Sequence, residues 1–279
     1  MTDTHLTAPT RFIEVDGDRF AYRRWGKPSG VPLFFVQHFR GGLDHWDPLV
    51  TDNMAKDREV ILFNGRGVAS STGTPRNRIE DMADDIAAVI RALGLSQVDL
   101  LGFSLGGMQV QEVALRHPDL VRKLLLLGTG PRGGDPTMEP KVMEVAPSPA
   151  TTVDDVLYLF FGRSEAAKKA GQAFWDRLHQ RVDQDPASSA AVLQAQIEAH
   201  AAYFAPLSDD NPYARLSAIK QPTLVLNGVS DVMIASINSW HMARNIPNAQ
   251  LFIYPDAGHA AHYQYPERFL QHALQFLEE

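Results

Sequence analysis

Ser104 lies between Gly102 and Gly106 in the run Val98-Asp99-Leu100-Leu101-Gly102-Phe103-Ser104-Leu105-Gly106-Gly107. An apolar strand pattern ends just before it and a helical pattern begins just after it, so the serine is expected on a sharp strand-to-helix turn. Glycines two positions away on either side relieve the crowding of such a turn and let the hydroxyl project above the edge of a sheet. A serine hydroxyl is a weak nucleophile. It becomes useful only when a base takes its proton and an acid orients that base. Because Gly-x-Ser-x-Gly is short and recurs by chance, the elements around it decide its weight.

Those elements alternate between strand and helix. Phe12 to Val15 and Arg19 to Trp25 flank Asp16-Gly17-Asp18, the pattern of a hairpin. Pro32 to Val36 and Val60 to Phe63 are unbroken apolar runs, as expected of strands buried on both faces. Ile79, Met82, Ala83, Ile86, Val89, Ile90 and Leu93 recur at helical spacing, and Asn77 followed by Glu80 spells a capping box. The rhythm continues through a strand at Val98 to Leu101, a helix from Gly107 to Arg116 and a strand at Lys123 to Leu127. It resumes with a strand at Pro222 to Leu226, a helix around Ser236 to Arg244, a strand at Gln250 to Tyr254 and a last helix from Pro266. This succession predicts an α/β fold: a mostly parallel sheet with helices on both faces. Ligands of such sheets bind outside the carboxyl ends of the strands, the end at which Ser104 falls.

Residues 131–215 break the alternation. They open with proline, glycine and charged residues, then read as helical at Val153 to Phe161, Glu165 to Val182 and Ser188 to Phe204, with no strand pattern. An insertion after a strand's carboxyl end falls on the ligand side of the sheet. The expected organisation is therefore a core of residues 1–130 and 216–279 carrying a helical lid at 131–215. Phe160, Phe161, Phe174, Trp175 and Tyr203 are candidates to line a pocket under that lid, although aromatic residues at helical spacing serve equally well as the lid's own core.

Composition narrows the functions. The chain has 279 residues, 44% hydrophobic and 21% charged, which suits a soluble globular protein with a sizeable core. It contains no cysteine, which removes disulfides, thiolate metal sites and a cysteine nucleophile together. A net charge of −7 with no long basic tract makes nucleic acid a poor partner. No apolar run approaches the roughly 20 residues of a membrane span. The polar start, Met1 to Thr10, lacks the basic and apolar regions of a signal peptide, so a cytoplasmic protein is expected. Gly128-Thr-Gly-Pro-Arg-Gly133 spells a dinucleotide fingerprint, but Pro131 interrupts it and no helical pattern follows. His259-Ala-Ala-His262 lacks the glutamate of a zinc-protease motif. Neither a metal nor a cofactor is expected.

Outside residues 131–215 the chain resembles the α/β-hydrolase family over essentially its whole length. Three motifs carry the resemblance: Gly102-Phe103-Ser104-Leu105-Gly106, Val225-Leu226-Asn227-Gly228-Val229-Ser230-Asp231, and Asp256-Ala257-Gly258-His259. It implies Ser104 as nucleophile, Asp231 as orienting acid and His259 as base, in the family's order along the chain. An imidazole, with an ordinary pKa near 6.5, can take the serine proton and return it to a leaving group while the acid holds its tautomer. Asp256 is the rival acid. Asp231 has the simpler alternative of capping the next helix, and His259 that of a surface histidine. Each of the three follows a different predicted strand at one edge of the sheet.

The family also implies an oxyanion hole of two backbone N–H donors. One is Leu105; the other comes from the loop after Leu33 to Val36, which reads Gln37-His38-Phe39-Arg40-Gly41-Gly42. This departs from the family's usual His-Gly-x. The second donor is Phe39 if Gln37-His38 replaces the pair and Arg40 if His38-Phe39 does, with Phe39 preferred. His38 and Arg40 become candidate substrate contacts. Asn64-Gly65-Arg66-Gly67 resembles another family segment, whose first residue is usually Asp, and is given a structural role.

The expected activity is that of a cofactor-independent serine hydrolase acting on a small, apolar carboxylic ester or lactone. Cofactor-free haloperoxidases and perhydrolases resemble it and share the triad. So do carbon–carbon bond hydrolases, which would give Arg40 or Arg163 a carboxylate to bind. A non-catalytic ligand receptor on the same scaffold is the alternative of a different class.

Overall fold

The apolar runs pair into one eight-stranded sheet in the computed structural model, which describes residues 3–28, 30–148, 151–208 and 211–279. The strands are β1 (Arg11–Val15), β2 (Asp18–Gly26), β3 (Leu33–Val36), β4 (Glu59–Phe63), β5 (Val98–Phe103), β6 (Val121–Leu127), β7 (Thr223–Gly228) and β8 (Ala249–Tyr254). Their order is β1-β2-β4-β3-β5-β6-β7-β8. β1 pairs with β2 and β2 with β4 antiparallel, and every pairing from β4 to β8 is parallel. The hairpin turns at Asp16 and Gly17, both with positive φ (53° and 83°), which its Asp-Gly sequence tolerates.

The helices are α1 (Pro48–Ala55), α2 (Ile79–Ala92), α3 (Leu105–Arg116), α4 (Val142–Val145), α5 (Val153–Phe160), α6 (Glu165–Leu178), α7 (Ala190–Phe204), α8 (Ile237–Asn245), α9 (Ala261–Gln264) and α10 (Pro266–Glu278). The central strands are apolar throughout because successive residues serve two cores. Leu33, Phe35, Leu62, Leu101 and Leu125 pack on the face with Val50 and Met54 of α1 and Phe269 and Phe276 of α10. Phe34, Val36, Ile61, Leu100 and Leu124 pack on the other, with Ile86 and Ile90 of α2, Val110 and Val113 of α3 and Met242 of α8.

Three local expectations change. Asn77 does not cap α2: its N-cap is Arg78, which makes no side-chain cap bond, and Asn77 Nδ2 instead donates to Glu198 of α7 at 2.9 Å. A tertiary partner has displaced a local one. The short helix α4 forms within a stretch read as loop, and the helix expected to reach Val182 ends at Leu178.

The turn between β5 and α3 is as tight as its glycines imply. Ser104 has φ 54° and ψ −118°, outside the regions open to most L-residues. Its N–H donates to Leu127 O at 2.9 Å, which ties the strained residue to β6. A Cβ on Gly102 would stand 2.5 Å from Gly106 O, and one on Gly106 would stand 2.1 Å from Val36 O. The N-terminus of α3 thus rests directly on the end of β3. Gly106→Ala is expected to lower stability by about 1–3 kcal/mol, the usual cost of overpacking, in urea denaturation. Gly65→Ala, whose Cβ would meet nothing nearer than Val68 Cγ2 at 3.7 Å, should leave the midpoint almost unmoved.

Candidate active site

Each candidate side chain follows the carboxyl end of a parallel strand: His38, Phe39 and Arg40 after β3, Ser104 after β5, Asp231 after β7 and His259 after β8. In-register pairing from β3 through β8 brings these ends to one rim of the sheet. Ser104 and His259 line one cavity of about 430 Å³ beneath α5 and α6.

Asp231 and His259 are both fully buried, and Asp231 Oδ2 lies 2.8 Å from His259 Nδ1. The carboxylate therefore accepts a hydrogen bond from Nδ1–H, which keeps the proton on Nδ1 and leaves a lone pair on Nε2. Asp231 Oδ1 accepts from Met233 N at 2.8 Å and Ile234 N at 3.0 Å, so the residue caps the following turn and orients the imidazole together. His259 Nε2 has no hydrogen-bond partner among the described residues, and Ser104 Oγ is not bonded to it. Phe103, next to Ser104, packs on the His259 ring with centroids 5.0 Å apart. Asp256 faces elsewhere: it accepts from Ser164 Oγ, and its carbonyl accepts from Gln264 Nε2.

Gly128, the first glycine of the interrupted nucleotide motif, lies against His259. A Cβ there would lie 2.5 Å from His259 O and 3.2 Å from its Nδ1, so the glycine makes room for the imidazole. No helix opens after it until Val142. His262, at the start of α9, is fully buried with neither ring nitrogen bonded. Burial, then the nearby His259 and His38, hold its pKa well below the ordinary 6.5, so it serves as a neutral aromatic wall 4.5 Å from Phe103. Among the described residues no three acidic or histidine side chains gather as a metal site.

The β3 loop is held by side chains that motif reading did not reach. Gln37 Oε1 accepts from His38 N at 2.8 Å, and Gln196 Oε1 of α7 accepts from Arg40 N at 2.6 Å. Arg40, at φ 61°, thus has its N–H engaged, whereas the N–H of Phe39 makes no hydrogen bond to a described residue. Leu105 is the first residue of α3, so its N–H has no intrahelical acceptor. Asn64 links the loop to α6–α7: Oδ1 accepts from Leu43 N at 2.9 Å and Nδ2 donates to Asp185. Only distant contacts reveal these roles. A lone Gln on a helix carries no sequence signal.

The cavity's apolar wall comes from Val156, Leu159, Phe160, Phe174, Trp175 and Leu178. Phe161 and Tyr203 stay in the packing: Phe161 against Phe174 at 5.7 Å, Tyr203 under the Arg132 guanidinium at 4.9 Å. Arg40 lines the cavity, but Nη1 donates to Ser148 O at 2.7 Å and Ala146 O at 3.3 Å. Arg163 pairs with Glu139 on the surface. Among the described residues no helix is long and apolar enough to cross a membrane.

This architecture is that of a known class. Residues 31–266 match the model of the α/β-hydrolase fold, and the chain belongs to that family as one of its enzymes. An α/β-hydrolase fold protein from Chitinophaga pinensis superposes with a TM-score of 0.90 at 36% identity, over 99% of this chain and 100% of that one. A poly(3-hydroxyalkanoate) depolymerase of Ectopseudomonas oleovorans is 30% identical over 89% of this chain and 85% of its own. A 2-hydroxy-6-oxo-6-phenylhexa-2,4-dienoate hydrolase of Burkholderia cepacia is 27% identical over 85% of this chain and 83% of its own.

Because Asp231 alone of the two aspartates bonds to His259, the acids are separable. Asp231→Asn should lower kcat on a short p-nitrophenyl ester by about 10³- to 10⁴-fold, and Asp256→Asn by less than about threefold. Comparable losses would show that the hydrogen bond seen here is not the one that matters.

Proposed function

We propose that the protein is a serine hydrolase that cleaves a carboxylic ester or lactone through an acyl-enzyme. The single supporting observation is the buried Asp231–His259 bond, which leaves Nε2 unpartnered beside the cavity that also contains Ser104. His259 takes the Ser104 proton as Oγ attacks the substrate carbonyl, and returns it to the leaving alkoxide. Water, deprotonated by the same nitrogen, then releases the acid. Apo sites often hold such groups slightly apart, and substrate brings them to bonding distance.

The backbone N–H groups of Phe39 and Leu105 stabilise the oxyanion in this reading. Phe39 is preferred over Arg40, whose N–H is held by Gln196. Residues 131–215 act as the lid over a core of 1–130 and 216–279, with the aromatic wall receiving an apolar part of the substrate. No cofactor or metal takes part in the proposed steps.

The carbon–carbon reading draws on the Burkholderia cepacia relative, but needs a cation for the substrate carboxylate. Arg40 is the only cationic side chain among the described residues of the cavity wall, and its Nη1 is held by backbone carbonyls. The peroxide-dependent reading has no separate feature in its favour.

A fluorophosphonate probe followed by peptide mapping tests the proposal: modification is expected at Ser104. Ser104→Ala should abolish labelling and lower kcat/KM on a short aryl ester by several orders of magnitude, about 10⁴ or more. A folded wild-type protein that takes no label would favour a ligand receptor instead.

A further inference from the structure

His38 and His45 line the cavity that holds Ser104, stand 5.7 Å apart with perpendicular rings, and have no part in the proposed triad. The backbone fixes their tautomers in opposite senses. His38 Nδ1 lies 2.8 Å from Phe39 O. A carbonyl only accepts, so Nδ1 carries the proton and Nε2 is a lone pair. His45 Nδ1 lies 3.0 Å from Gly42 N. A backbone N–H only donates, so here Nδ1 is the lone pair and the proton of the neutral ring sits on Nε2.

Both rings stay neutral. Burial, with Phe103 and Phe160 packed at 5.3 and 5.1 Å, brings the His38 pKa down to about 3. Burial likewise lowers that of His45, against the opposing pull of Asp44. Within the protein, both residues keep accessible surface where they line the cavity. Neither Nε2 has a hydrogen-bond partner among the described residues.

We infer that the two imidazoles form a specificity subsite for a hydroxyl on the acyl chain, which donates to His38 Nε2 and accepts from His45 Nε2–H. This rests on the ester-hydrolase reading above. A hydroxyl is the smallest group that is donor and acceptor at one atom. A methyl in its place leaves both nitrogens unpaired, and a carboxylate meets the lone pair of His38. His38 directly precedes Phe39, the proposed oxyanion donor, so the hydroxyl belongs within a few bonds of the reacting carbonyl, at carbon 2 or 3. A site built to bond a hydroxyl rejects the analogue that lacks it.

The test compares kcat/KM for p-nitrophenyl 3-hydroxybutanoate and p-nitrophenyl 3-methylbutanoate, near-isosteric esters that differ in hydroxyl against methyl. The wild type should favour the hydroxy ester by about tenfold or more, the equivalent of about 1.4 kcal/mol. In His38→Asn and His45→Asn the amide keeps an atom at the Nδ1 position, so the backbone bond can persist while the Nε2 group is lost. In each, the ratio should fall to within about threefold of unity, given one hydrogen bond's usual net worth.

A wild-type ratio near one, or a ratio that survives in either variant, overturns the subsite. Fluorophosphonate labelling of Ser104 in the same samples separates the two claims. Label with no discrimination sinks the subsite alone, and absence of label in the wild type sinks the esterase reading beneath it. The wild-type ratio is decisive even if a variant fails to fold.

Discussion

The contact on which the site depends is the seat of α3 against the end of β3, where Gly106 approaches Val36 O so closely that no side chain fits. That approach fixes two things at once. It sets the height of Ser104 above the sheet through the strained turn at φ 54°, and it sets the distance from that turn to the loop that begins at Gln37. Ser104 and the loop that begins at Gln37 therefore belong to one rigid contact, held in the sheet by the β3–β5 register. Backbone strain of order 1–3 kcal/mol at such a residue persists only when its surroundings over-determine it. Here the Ser104 N–H bond to β6 and the doubly covered core provide that restraint.

The second restraint is electrical. The cavity rim holds His38, His45, His259 and the nearby His200 and His262, yet apolar packing keeps most of these rings neutral. Burial lowers His38 to about 3 and His200 to about 4, and takes His262 well below its ordinary value. Charge in this part of the molecule is instead paired off in ion pairs. Arg23 holds Asp44, and Arg177 holds Asp47 at 2.7 Å, a pair that also ties α6 to the start of α1.

Residues 131–215 are fastened to the core by polar contacts from both sides. Arg40 reaches the carbonyls of Ala146 and Ser148, Ser188 Oγ reaches Arg40 O at 2.9 Å, and Asn64 reaches Asp185. The position that the family usually gives to Asp is here an Asn, and its amide can donate to a carboxylate that a second carboxylate would repel. The departures from the family pattern at Asn64 and at Gln37 to Arg40 thus fall together, at the junction of loop and helical cover.

The sequence by itself determined the strand-helix alternation, because unbroken apolar runs and helical periodicity follow directly from burial on two faces and on one. It also put forward Ser104, Asp231 and His259, through the three motifs in which the chain resembles the α/β-hydrolase family. Tertiary structure decided what depends on residues far apart in the chain: that Asp231 and not Asp256 meets His259, that Gln196 holds the Arg40 N–H, and that Asn77 bonds to α7 and not to its own helix. It also decided the tautomers of His38 and His45. A ring nitrogen's proton is assigned by the partner it faces, and that partner is fixed by how the loop folds back on its own carbonyl and amide.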